Sequence, residues 1–96
     1  MTEQDFLKLL NAVVKLAKPF HKEAPDLDRL DIKFADTNID SLDMLMIGLY
    51  LADVFGISEE DGKQMMAASP AELFAVIQKI ATKFPENVDQ AIKDLQ

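Results

Sequence analysis

Asp40, Ser41, Leu42 and Asp43 open an apolar segment that runs to Phe55. A hydroxyl between carboxylates invites the question of nucleophilic chemistry. A serine nucleophile needs a general base within hydrogen-bond reach. The only histidine of the chain is His21, on the far side of a long connection. A lone histidine at a helix exit reads as a solvated surface residue, so no catalytic residue is assigned and the chain is not expected to be an enzyme. Ser41 can instead be a substrate, a hydroxyl modified in another protein's active site. A phosphodiester there would meet free backbone N–H groups and the positive end of a helix dipole. Asp40 and Asp43 would draw in a basic modifying enzyme. The local alternative is that Asp40 or Ser41 simply caps the helix, the commoner use of such residues.

Asp36, Asn38 and Asp40 also match the opening of an EF-hand calcium loop. That loop requires glycine at its sixth position and a bidentate glutamate at its twelfth. Ser41 and Ile47 stand there instead. Tight calcium binding is not expected, and no metal site is assigned.

The elements that must position Ser41 read as helices. Thr2 and Asp5 form a capping-box pattern. Phe6, Leu9, Leu10, Val13, Leu16, Ala17 and Phe20 then recur at helical spacing, with Pro19 near the stop, which predicts a first helix from Glu3 to Lys18. Residues 21–40 form a long charged connection containing Pro25. Leu27, Leu30, Ile32, Phe34 and Ile39 should pin it to the core, with a short helical turn near Asp26 to Leu30.

The second helix is predicted from Ser41 or Leu42 to Phe55, ended by Gly56 with Ile57 as apolar partner in a Schellman-type stop. Ser58 and Asp61 open a third helix, expected to reach about Ala68. Ser69, Pro70 and Glu72 supply N-cap, N1 and N3 of a fourth. Its expected buried stripe is Leu73, Phe74, Ile77 and Ile80. Asn87 and Gln90 cap a last short helix with Val88, Ala91, Ile92 and Leu95 on one face. There is no strand signal, repeat or low-complexity segment.

At 96 residues and 49% apolar, the chain is expected to be a single small domain with a core. The absence of cysteine excludes disulfides, thiolate metal sites and thiol catalysis. A net charge of −7 disfavours nucleic acid and anionic membranes and favours basic patches on other proteins. No start resembling a signal peptide is seen. The longest apolar run, Met44 to Ala52, is too short to span a bilayer. The expectation is a soluble, cytoplasmic monomer without membrane insertion.

Asp40-Ser41-Leu42, opening the second of four helices after a long loop in a small acidic domain, resembles the attachment motif of the acyl carrier protein family. The resemblance covers about residues 3–82, with 83–96 as an extension. It implies an all-α, acyl-carrier-like four-helix bundle with a long loop between the first two helices and an extra short C-terminal helix. It implies 4′-phosphopantetheine on Ser41, flanked by Asp40 and Leu42, whose thiol carries acyl intermediates as thioesters. Implied partners are a phosphopantetheinyl transferase and acyl-transferring or acyl-activating enzymes of lipid metabolism, fatty acid biosynthesis included. The family often has glycine where Asn38 stands; asparagine is the next most tolerant of left-handed backbone. Common fatty-acid carriers have glutamates where Met46 and Ala52 stand, which points to a specialised lipid or secondary-metabolite pathway. The alternatives are an aminoacyl- or peptidyl-type carrier and a helical interaction module without a prosthetic group.

At 100° per residue, Met44, Ile47, Leu51 and Phe55 form the core face of the second helix, with Gly48 beside them. Leu42, Asp43, Met46, Tyr50 and Asp53 fall opposite and form the candidate partner surface, with Asp43 and Asp53 marking it as wet. Either Leu42, Met46 and Tyr50 are an exposed apolar strip, or the long loop or the C-terminal residues cover them. Gly48 costs about 1 kcal/mol in a helix interior, and close packing explains it better than room for an acyl chain.

Overall fold

The computed structural model describes residues 1–17, 27–65 and 67–95. Those residues form five α-helices and one 3-10 turn, and no strand. The helices are α1 (Glu3–Ala17), α2 (Ser41–Phe55), α3 (Glu59–Lys63), α4 (Pro70–Ile80) and α5 (Val88–Leu95), with the 3-10 turn at Phe34–Asp36. Among the described residues, no helix is long and apolar enough to cross a membrane.

Local chemistry sets most boundaries. The Asp5 N–H donates to Thr2 Oγ1 and the Thr2 N–H to Asp5 Oδ2, closing the box that starts α1. Gly56 is left-handed at φ 63°, and the Ile57 N–H reaches back to the Ala52 carbonyl at 2.8 Å. This is the bond of a Schellman stop. Ser69 Oγ accepts from the Glu72 N–H to start α4, with Pro70 in its first turn. Asn87 Oδ1 accepts from the Gln90 N–H to start α5.

The core gathers Phe6, Leu9, Leu10 and Val13 of α1, Ile47, Leu51 and Phe55 of α2, and Leu73 and Ile77 of α4. Phe6 and Phe74 stack with ring centroids 4.5 Å apart. The connection before α2 is pinned as expected. Leu27, Phe34 and Ile39 are buried, and Leu30 and Ile32 pack against the core. Asn11 of α1 clamps it as well, donating to the Leu27 carbonyl and accepting from the Leu27 N–H at 2.8 and 2.7 Å. Two backbone bonds, Phe34 N–H to the Ala68 carbonyl and Ala71 N–H to the Leu30 carbonyl, tie it to the start of α4.

Four expectations need correction. The helical turn of the connection lies at Phe34–Asp36, and 27–30 are not helical. The third helix ends at Lys63, well before Ala68, because Gly62 and Met65 are drawn in against α2. Ile80 is exposed at the last turn of α4, which leaves Leu73, Phe74 and Ile77 as the buried stripe. Asn38 has no left-handed backbone, since Gly56 alone is left-handed among the described residues. Lys18, Pro19, Phe20, His21, Pro25 and Asp26 lie outside the described residues.

α5 packs on α1. Val88, Ile92 and Leu95 are half-buried against the core, and Lys8 pairs with Asp89 on the surface. Between α4 and α5 the chain is stapled to the end of α2. The Thr82 and Lys83 N–H groups both donate to the Phe55 carbonyl, and Thr82 Oγ1 donates to that of Gly56 at 2.6 Å.

The mouth of helix α2 as the candidate functional site

The chain enters α2 through a fixed bend. Thr37 Oγ1 donates to the Phe34 carbonyl at 2.6 Å and accepts from the Ile39 N–H at 3.2 Å. Ile39 is buried, so the backbone turns upward at a defined point. Asp40 follows in extended conformation as N-cap. Its Oδ1 accepts from the Asp43 N–H at 2.8 Å, and its own N–H donates to Asp43 Oδ2 at 3.2 Å. The Asp40 carbonyl accepts from the Met44 N–H, so the first turn is closed.

This resolves the two roles open to Asp40 and Ser41. Asp40 is the cap. Ser41 is the first helical residue, and its side chain is exposed. Among the described residues its hydroxyl makes no hydrogen bond. The N–H groups of Ser41 and Leu42 have no partner there either, because the cap's carboxylate serves only the third amide of the turn. A reactive-sized hydroxyl and two free amide donors therefore share the positive end of a fifteen-residue helix.

Asp43 corrects the sequence reading. It was expected on the wet face but is only 7% exposed, turned back over the helix end by the capping box. Of the two acids flanking Ser41, only Asp40 faces solvent. The rest of the expected strip divides. Leu42 is 67% exposed and Met46 36%, and both project from the bundle. Tyr50 is half-buried and packs against the core, and Asp53 is exposed.

The other side of α2 meets α3 backbone to backbone. A Cβ on Gly48 would strike the Gly62 carbonyl oxygen, and one on Gly62 would lie 2.8 Å from the Ala52 Cβ. Gly48 is thus a packing residue, as expected. Ala52 is buried in the same contact. Its small side chain answers to α3, so it says nothing about a partner.

No family model, curated protein or solved structure matches the chain.

Proposed function

We propose that the chain is an acyl carrier protein with 4′-phosphopantetheine joined to Ser41 through a phosphodiester. One observation carries this reading: the Ser41 hydroxyl is exposed and unengaged at a helix start that Asp40 already caps. A serine needed for stability would be the cap itself. Here the two tasks are separated, and the hydroxyl is left for another protein's active site.

The residues present fit the group. The free Ser41 and Leu42 amides and the helix dipole favour a phosphate. Leu42, exposed beside Ser41, offers apolar contact to a modifying or acyl-transferring enzyme. When bound, the group supplies the thiol that a chain without cysteine lacks, and acyl chains are held on it as thioesters. The chain's own part is to present that tether on a rigid helix end and to be recognised. The long connection, the serine at the mouth of the second helix, the short third helix and the capped fourth support an acyl-carrier arrangement of α1–α4. Partners are a phosphopantetheinyl transferase and enzymes that load or consume the acyl group, in the cytoplasm. Met46, exposed where common fatty-acid carriers are acidic, supports a specialised pathway.

The test is an intact mass after incubation with a phosphopantetheinyl transferase and coenzyme A. One phosphopantetheine should be added, and Ser41→Ala should abolish it. Stability separates the neighbours. Ser41→Ala should change the unfolding free energy by less than about 0.5 kcal/mol, whereas Asp40→Ala should lower it by about 0.5–2 kcal/mol. An adduct that persists in Ser41→Ala would sink the assignment.

A further inference from the structure

We infer that an apolar chain tethered at Ser41 is housed outside the bundle, along a ridge of α2 and in a groove that the C-terminal segment builds at the far end of that helix. That the chain is an acyl cargo rests on the carrier reading above.

The ridge is the first observation. Leu42, Met46, Tyr50 and Val54 are spaced four apart, so they stand side by side in one row along the helix. Leu42 and Met46 are exposed, whereas Tyr50 and Val54 are half-buried. The row begins next to Ser41 and sinks into the surface as it descends. At about 1.5 Å per residue, Val54 lies roughly 20 Å along the axis from Ser41.

The groove is the second. It holds about 480 Å³, within the range of about 300–1,000 Å³ typical of small-molecule sites. Val54, the foot of the ridge, forms one wall, and the half-buried Pro85, Ala91 and Leu95 line the groove together with the polar Asn87 and Gln90. Phe84 is 46% exposed at its edge. It is held edge-on against the buried Phe55 at 5.7 Å, directly after the two residues stapled to the Phe55 carbonyl. A large aromatic ring kept in solvent by backbone bonds is a preformed apolar wall. Asp53, Lys83, Glu86 and Asp94 stay exposed at the rim. The apolar side chains of this lining can receive an alkyl chain, and the charged ones can stay in water beside it.

The third observation is that the side of α2 opposite the ridge is closed. Gly48 lies about 180° around the helix from the ridge's midpoint, and there α2 rests on the Gly62 carbonyl. A tethered chain therefore meets a row of apolar side chains that ends at the groove on the ridge side, and backbone at Gly48 on the other.

The test needs no prosthetic group. The chain lacks cysteine, so Ser41→Cys gives a single thiol. That thiol is alkylated with maleimides whose flexible linker matches the length of phosphopantetheine and ends in either a methyl or a dodecyl group. NMR then reads amide shifts and through-space contacts from the terminal methyl. The dodecyl form should contact Phe84, Ala91 and Leu95 and shift Val54, and the methyl form should do neither. Phe84→Ala should remove those contacts; should it fail to fold, Ala91→Gln, which fills the groove, serves the same purpose. Contacts at Gly48, Gly62 and Met65 would overturn the inference. So would identical spectra for the two lengths, which would leave the acidic rim to a basic segment of a partner protein. Groove contacts in the thiol variant without enzymatic loading of Ser41 would sustain the groove and sink the carrier reading.

Discussion

Gly48 and Ala52 bring one side of α2 against the backbone of α3. Further around the same helix, Leu42 and Met46 stand in solvent and lead to a groove. Both sides are apolar, and hydrophobicity alone does not tell them apart. Side-chain size does. At Gly48 and Ala52 every atom beyond a methyl is missing, because what faces them is the backbone of Gly62, which cannot move aside. On the ridge side the two exposed residues, Leu42 and Met46, are long, and methionine in particular adapts to whatever lies on it. A buried face demands a fixed volume, and a presenting face demands reach.

The comparison breaks most readily at the glycine. Gly48→Ala gains about 1 kcal/mol of helix propensity but forces α2 from α3, and overpacking of this kind costs about 1–3 kcal/mol. A net loss of stability is expected in urea unfolding. If the variant is more stable than the parent, the two sides are equally tolerant and the contrast fails. Removal of everything after Lys83 probes the other side. It takes away half-burial of Val88, Ile92 and Leu95, about 1 kcal/mol each, offset by the entropy of the released residues. The melting temperature should fall by several degrees, on the scale of about 4–8 °C per kcal/mol for a domain this size. An unchanged melting temperature would mean α5 is held for a partner and not for the bundle. The smallest stability effect belongs to Met46→Glu, within about 0.5 kcal/mol for an exposed site. Its effect is on recognition. Binding to the dedicated partner should weaken and become more salt-sensitive, as steering replaces apolar burial. Severe unfolding would show that Met46 is core, and affinity unchanged at every salt concentration would remove the ridge from the recognition surface.

What the sequence disclosed follows from the range of the interactions involved. Caps and stops are written within a few residues, so Thr2 with Asp5, Ser69 with Pro70, Gly56 with Ile57 and Asn87 with Gln90 all lie where their chemistry indicates. Ser41 at the helix mouth was legible for the same reason. Asp43 was not, because a helical wheel assigns a carboxylate to water and takes no account of a box that folds it over the helix end. Its spacing from Asp40 carries that signal, the same one that Thr2 and Asp5 carry. Asn11 was missed as well. A polar side chain on a helix facing a long connection is a cue, but its partner, Leu27, lies 16 residues on. The early end of α3 depends on contact with Gly48, and the groove depends on where residues 82 and 83 find a carbonyl. Neither partner is local, and no spacing rule reaches that far.

The shared Phe55 carbonyl has a consequence for how the molecule breathes. Two amides that follow α4, those of Thr82 and Lys83, are protected by an acceptor in the last turn of α2. In hydrogen exchange their protons are expected to be released when that turn opens. The end of α2 and the root of the C-terminal segment are therefore expected to open together, though divided in sequence by α3 and α4. Fraying of α2 at its foot would loosen the segment after α4, and a load that steadies the foot of α2 would slow exchange at Thr82 and Lys83.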